Sequence, residues 1–400
     1  MKIQTSGMTN EEYILTYRDA DVRALALKKV PEGVDAPWCL RQIEGYQLSK
    51  KKLPRWAGTE GVWFPPRLSM EQCSSEVTAR YKAEAALRIA KSRESFIDLT
   101  GGFGVDFSYM AQNFKSAIYV ELQEVLCEAA RHNFPLLGIE NAEIVNTADY
   151  STLLKAHYSL IYLDPARRSD TGKKVYAIED CTPDIATLQE KLLERADSVM
   201  VKLSPMLDIT QALRTLHNVT EVHTVSVKGE CKELLLVMSA NSEAGAPIIY
   251  HCVNLDTNDS PFICDVTRQS LAITTPEVGD YIFEPNASIL KAGVQDAFAA
   301  RYSLDKLHPM SNLFTMKKGV GVPDGIPARA FRITAMSDFS KSALKIFLKD
   351  LKQANIAIRN FPSTVNELRK RLKIKEGGSV YIFATTVSNG SHILIRCEKV

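Results

Sequence analysis

Three glycines and two acids, spaced as strand ends space them, carry the chemistry that this chain can do. Asp98 closes an apolar run, Phe96-Ile-Asp98, and is followed by Leu-Thr100-Gly-Gly-Phe-Gly104. Glycine lacks the Cβ that keeps a ligand off the backbone, and it tolerates the positive φ of a tight strand-to-helix turn. Gly101, Gly102 and Gly104 therefore read as a loop whose amides a nucleotide can touch. Residues 116–120, Ser-Ala-Ile-Tyr-Val, read as a second strand ending in Glu121. That acid lies one β-α-β unit past Asp98, where nucleotide-binding α/β sheets place the carboxylate that accepts both ribose hydroxyls. A third run, 142–146, precedes Asp149, and a fourth, 159–163, runs into Asp164-Pro-Ala-Arg-Arg168. Asp98 and Glu121 can also cap helices, but two acids in register after two strands favour ligand contact. Asp149, just before Tyr-Ser-Thr-Leu-Leu, serves equally well as a plain cap.

The elements that must position these residues follow from the same pattern. Short apolar runs alternating with amphipathic stretches predict a doubly wound α/β core, whose ligands sit at the carboxyl ends of the strands. Before it, residues 1–92 read as helices, with Thr9-Asn-Glu-Glu12 as a start signal and Lys50-Lys-Lys-Leu-Pro54 as a break. Trp38, Trp56 and Trp63 read as packing residues there rather than as base-stacking platforms. Residues 241–247, Asn-Ser-Glu-Ala-Gly-Ala-Pro, look like a linker, and Glu284-Pro-Asn-Ala-Ser-Ile-Leu-Lys-Ala-Gly293 reads as a capped helix. The last eighty residues run strand (330–335), helix (341–354), strand (356–360), helix (363–372), strand (379–386), strand (392–396). That order fits a ferredoxin-like α+β sandwich.

Composition bounds the rest. The 400 residues are 45% hydrophobic and 24% charged, an ordinary globular balance. No apolar run is long enough to span a membrane and the first ten residues lack a signal core, so a cytoplasmic protein with no membrane partner is expected. Eight scattered cysteines without a Cys-x-x-Cys pair, and no clustered histidines, predict packed thiols and no metal. The net charge of +2 hides an asymmetry: residues 323–400 hold 14 Lys plus Arg against 6 Asp plus Glu, leaving the remainder at −6. A basic module on a mildly acidic core favours a polyanionic partner. Lys341, Lys345, Lys349 and Lys352 fall at helical spacing along one face, and Lys370 and Arg371 lie in a dense cationic end with Arg369, Lys373 and Lys375. A solvated face is the competing reading, but the nearby acids are too few to neutralise these cations.

The ordered series Asp98-Leu-Thr-Gly-Gly-Phe-Gly, Glu121, Asp149 and Asp164-Pro-Ala-Arg resembles that of class I S-adenosylmethionine-dependent methyltransferases, over residues 93–240. The whole chain further resembles a bacterial family in which this Rossmann-like core carries a helical N-terminal region and a C-terminal THUMP-like, ferredoxin-like module. Ser74-Ser-Glu76, Tyr81-Lys-Ala83, Asp164-Pro-Ala-Arg-Arg168, Lys202-Leu-Ser-Pro205 and Phe283-Glu-Pro-Asn286 carry that likeness. The resemblance implies four segments: a helical region at 1–92, a methyltransferase domain at 93–242, a small α+β connector at 243–325 and a basic THUMP-like domain at 326–400. It also implies S-adenosylmethionine as cofactor, with Asp98 and the backbone of Gly101, Gly102 and Gly104 at its methionine end and Thr100 and Asp164 among its other contacts. Glu121 would take the ribose and Asp149 the adenine amino group. Thr100 departs from the family pattern, standing where the loop's first glycine is usual.

For the acceptor, the resemblance argues by elimination. Amino-directed relatives place an aromatic at the fourth position of Asp-Pro-Pro-aromatic, and Arg167 stands there instead. Covalent pyrimidine methylation wants a cysteine where Lys202-Leu-Ser-Pro has serine. Ribose 2′-O enzymes use a Lys-Asp-Lys-Glu set, which Lys82, Asp164, Lys202 and Glu233 match in order. Each has a structural alternative: Lys82 as a helix surface charge, Lys202 and Asp164 as a plain ion pair, Glu233 as a strand-edge charge. Arg167 and Arg168 suit a substrate phosphate, or a salt bridge to Asp170, Glu179 or Asp180. Structured RNA is the expected substrate, with a small-molecule or protein methyltransferase, or a non-catalytic RNA-binding protein, as alternatives.

Overall fold

Local signals set most of the element ends. The computed structural model describes residues 8–167, 178, 181–243, 245–266 and 271–400. It divides into two units, Met1–Thr220 with Leu235–Ala244, and Glu221–Leu234 with Gly245–Val400. The boundary at 244–245 falls inside the linker-like stretch 241–247.

The first unit opens with α1 (Asn10–Tyr17), α2 (Val22–Ala26), α3 (Ala36–Lys52), α4 (Pro54–Gly58), α5 (Arg67–Gln72) and α6 (Glu76–Ile89). The start signal at Thr9 is a capping box. Its hydroxyl accepts from the Glu12 amide at 3.1 Å, and the Glu12 carboxylate accepts from the Thr9 amide at 2.9 Å. Proline cannot extend a helix from the preceding turn without losing a hydrogen bond, so α3 stops at Lys52 and Pro54 opens α4. Trp56 is wholly buried with its ring 4.6 Å from Phe103, while Trp63 stacks on His132 at 3.9 Å. All three tryptophans make ring contacts within the unit, as the packing reading expects.

The sheet follows, with β1 (Ser95–Asp98), α7 (Val105–Met110), β2 (Ser116–Glu121), α8 (Glu124–Leu136), β3 (Ala142–Asn146), β4 (Tyr158–Leu163), the short β5 (Ala166–Arg167) and β6 (Cys181–Thr182), α9 (Ile185–Glu194), β7 (Ala196–Leu203) and α10 (Ile209–Thr215). Five strands run parallel in the order β7-β4-β1-β2-β3. Parallel strands are covered on both faces, and β4 is buried at every position. The chain winds outward through β2 and β3, then returns to the other side of β1. The crevice above β1 and β4 is therefore the switch point at which such sheets take ligands.

The second unit holds the ends of the next two strands, β8 (Val219–Val227) and β9 (Glu230–Met238). The Lys228-Gly229 turn joins them with both φ positive, as a type I′ hairpin turn requires. β10 (Ile249–Leu255) runs parallel to β8, and β11 (Phe262–Asp265) antiparallel to β10. A second sheet uses β12 (Tyr281–Pro285), β13 (Asp305–Lys306), β14 (Phe314–Thr315), β15 (Ala328–Ser337), β16 (Asn355–Arg359), β17 (Val380–Thr386) and β18 (His392–Lys399), in the order β13-β14-β12-β15-β18-β17-β16. Its helices are α11 (Ala287–Ala292), α12 (Gln295–Tyr302), α13 (Lys341–Phe347) and α14 (Val365–Leu372).

Asn286 caps α11 and Gly293 ends it in the left-handed region, as the sequence predicts. Buried Glu284, two residues before the cap, holds Arg329 and Arg359. One expectation needs correction: the helix from Lys341 ends at Phe347, not at Ala354. Beyond it the backbone pairs with Lys375, which donates to the Lys352 carbonyl at 3.0 Å and accepts from the Ala354 amide at 2.9 Å. Those extended bonds replace helical ones, so Lys349 and Lys352 do not share a helix face with Lys341 and Lys345. No helix of the described residues is long and apolar enough to cross a membrane. No disulfide joins cysteines among the described residues, and burial pushes Cys252 and Cys397 up to about 12.

Candidate functional site

Each loop glycine has its own reason. A Cβ on Gly101 would stand 2.2 Å from the Tyr119 ring, and one on Gly104, at φ +84°, would stand 2.9 Å from Phe134. Both positions are fixed by packing. Gly102, at φ +56°, has nothing nearer to its would-be Cβ than the Thr100 carbonyl at 3.8 Å. The bare backbone that a ligand can approach is therefore at Gly102, whose amide donates to Glu121 Oε2 at 2.8 Å.

Glu121 is held from behind as well, since its Oε1 accepts from the Leu122 and Gln123 amides at 2.8 Å each. Asp98 is 1% exposed. Its Oδ1 accepts from the Thr100 amide at 2.9 Å and the Thr100 hydroxyl at 3.3 Å, and that hydroxyl accepts from the Asp164 amide at 2.6 Å. The residue that departs from the family loop thus links the acid ending β1 to the acid following β4. Burial drives the Asp98 carboxyl well above the usual carboxylate range, and the charges of Asp106 and Asp164 push the same way against the Thr100 bonds.

Lys202, near the end of β7, pairs with Asp164 Oδ2. The Lys202 side chain is 14% exposed and that of Asp164 37%, so a substrate can reach the carboxylate. Lys82 belongs to the same unit. It is 0% exposed on α6, with Nζ 3.2 Å from Asp106 Oδ1 and donating to Ser74 Oγ at 3.0 Å. Ser74 and Tyr162 both donate to Asp106 Oδ2 at 2.8 Å. Burial raises the Asp106 carboxyl, but Lys82, Lys202 and these bonds outweigh it and hold it below its ordinary value. Breaking one side of so buried a pair typically costs about 3–5 kcal/mol. The surface-charge reading of Lys82 fails because the small face of α6, Ala79, Ala83 and Ala86, draws that helix side into the core.

Asp149 is exposed and spent locally: Oδ1 accepts from the Ser151 amide and Oδ2 from its hydroxyl, both at 2.8 Å, which lowers the carboxyl. Its neighbour Tyr150 is half-buried. Burial raises its phenol, and the charges of Glu121 and Asp98 add to the effect. Sequence reasoning gave no role to Asp106, and quoted Ser74 only as part of the family likeness, without the bond that joins the two. Arg167 lies on β5, paired with Cys181, while Arg168 falls outside the described residues. Glu233 is buried on β9 within the second unit, and Lys370 and Arg371 are exposed in the last turn of α14.

Comparison with known proteins fits this geometry. A solved methyltransferase-family protein of Porphyromonas gingivalis W83 is 35% identical, with 98% of this chain and 97% of that one covered, at a TM-score of 0.85. This chain belongs to that methyltransferase family. A relative in two strains of Mycobacterium tuberculosis, named as an uncharacterized S-adenosylmethionine-dependent methyltransferase, is 24% identical over 369 residues, 90% of this chain and 95% of the relative. The ferredoxin-like domain family matches residues 281–321, and the THUMP domain-like family matches residues 328–399. The protein is thus an S-adenosylmethionine-dependent methyltransferase with a THUMP-like C-terminal domain. The site suits that cofactor: an open approach at Gly102, a carboxylate at the end of β2 for hydroxyls, and a buried acid at the end of β1 for a cation.

Proposed function

We propose that this methyltransferase modifies structured RNA, ribosomal or transfer, in the cytoplasm, with the ribose 2′-hydroxyl as acceptor. In this reading Asp98 and the 101–104 backbone hold the methionine end of the cofactor, Glu121 takes the ribose hydroxyls, and Asp149 takes the adenine amino group. The cofactor supplies an electrophilic methyl group on a sulfonium. Asp164 accepts the hydroxyl proton of the acceptor, and Lys202 fixes the carboxylate and offsets its charge. Lys82 acts at one remove, by holding Asp106 beneath the loop. Residues 93–242 are the transferase, and 326–400 bring the substrate. Arg167 and Arg168 stay as candidate phosphate contacts.

The observation that carries the reading is the Asp164–Lys202 pair beside the cofactor acids, in a chain whose THUMP-like end is strongly basic. Lys370, Lys373 and Lys375 are exposed with no ion pair among the described residues, while Arg369 is tied to Glu376 at 3.6 Å. Arg371 sits over Phe339 at 4.8 Å. Tritiated methyl transfer to total RNA from a deletion strain, followed by nucleoside mass spectrometry, is expected to yield one 2′-O-methylnucleoside. A base-methylated product sinks the ribose assignment, and no incorporation into RNA sinks the RNA one.

Replacing Lys370 and Arg371 with Ala should weaken RNA binding and lower the slope of log K against log salt by roughly 1–2, each phosphate contact contributing about 0.7–0.9. Cofactor affinity should stay fixed. Filter binding between low and moderate salt checks this, and an unchanged slope marks the cations as solvated.

A further inference from the structure

The second unit carries a cluster that methyl transfer does not use. Glu221 and His223 stand two residues apart on β8, so both side chains lie on one face of the strand. The parallel register sets His251 of β10 opposite His223. One carboxylate and two imidazoles are thereby gathered: Glu221 Oε2 lies 2.9 Å from His223 Nε2 and 3.4 Å from His251 Nε2. A ligand-type atom of each residue falls within 4.8 Å of the others. The His223 side chain is 0% exposed, that of His251 11% and that of Glu221 17%.

We propose that Glu221, His223 and His251 bind a divalent transition-metal ion, Zn²⁺ being the one their donors suit. Two imidazole nitrogens and a carboxylate oxygen form a borderline donor set, whereas Ca²⁺ and Mg²⁺ select oxygen. With metal–ligand bonds of about 2.1 Å, tetrahedral donors stand about 3.4 Å apart. The two Glu–His separations lie close to that. The rings are stacked at 4.4 Å with 10° between their planes. Imidazole lone pairs lie in the ring plane, so parallel rings do not aim at one point. Loading therefore turns one ring about its Cβ–Cγ bond, with Glu221 already placed as the shared ligand. His251, the less buried ring, is the one that turns. The exposed edge of Glu221 admits the ion and leaves its fourth position to water. Such an ion ties β8 to β10 at the start of the unit.

The test uses the full chain, stripped with chelator and dialysed against Zn²⁺ or Co²⁺. Expected are one Zn²⁺ per chain by elemental analysis, a melting temperature that climbs with free Zn²⁺ by linkage, and tetrahedral d–d absorption with Co²⁺. Free cysteines also bind these ions, so variants locate the site. Glu221→Gln and His251→Gln should each weaken Zn²⁺ binding more than about 100-fold, whereas Cys231→Ser and Cys264→Ser, at the part-exposed thiols of this unit, should not. Failure of the wild-type chain to retain stoichiometric ion overturns the proposal. So does retention of wild-type affinity by the Glu221 and His251 variants.

Discussion

Asp98→Asn loses about 3 kcal/mol of cofactor affinity, roughly 100-fold in Kd, yet melts higher than wild type at pH 7. Both results come from one buried carboxyl. The amide still accepts from Thr100, so the loop keeps its bonds at 2.9 and 3.3 Å, but the charge that would meet a cationic methionine end is gone. The stability gain follows from linkage. The folded pKa of Asp98 is raised above the unfolded value near 3.9. Its contribution is fully present below the unfolded pKa and is lost as pH rises through the folded one. Wild type therefore carries a penalty at neutral pH that the variant lacks. The difference in melting temperature should be near zero at about pH 4 and grow as pH rises through the elevated folded value. A bound cation should also pull that pKa down, so cofactor binding releases a proton and weakens at lower pH. Calorimetry in two buffers of different ionisation enthalpy, with melting curves at several pH values, measures all of this. Wild-type affinity in the variant sinks the role of Asp98.

Asp164→Asn and Lys202→Met should each lower methyl-transfer kcat by about 100- to 10,000-fold, the range that a positioned general base supplies. The loop should survive both, because Thr100 is held by the Asp164 backbone amide, which these changes leave alone. The two residues are bonded to each other and act together, so the double variant should lose little more than the worse single one. Single-turnover rates at saturating cofactor check this on RNA from a deletion strain. Additive losses point to separate roles, and an unchanged kcat to a structural ion pair.

The parts of the site that the sequence made legible are those set by near neighbours. Asp98, Glu121 and Asp164 could be placed because strand ends are marked by where an apolar run stops, and Gly102 because only glycine sits easily at its φ. The role of Lys82 was not legible. Its partner Asp106 is twenty-four residues away, and only burial of the α6 face makes an ion pair out of what helical spacing shows as a surface charge. The local turn at Asp149, whose carboxylate accepts from the Ser151 amide and hydroxyl, is one that either a cap or a ligand contact would have predicted.

The cap box at Thr9, the proline break before α4, the glycine loop and the strand-helix order of the last eighty residues are fixed by the chain itself. The cap and the proline break rest on hydrogen bonds or steric limits within a few residues, and Gly102 on its own φ, whereas Gly101 and Gly104 answer to the Tyr119 and Phe134 rings. What the tertiary structure alone decided spans longer distances. The end of α13 was settled by pairing with Lys375, the raised carboxyl of Asp98 by desolvation, and the meeting of Glu221, His223 and His251 by the register of two parallel strands. Register and burial depend on which distant segments share a sheet, and no local spacing encodes that.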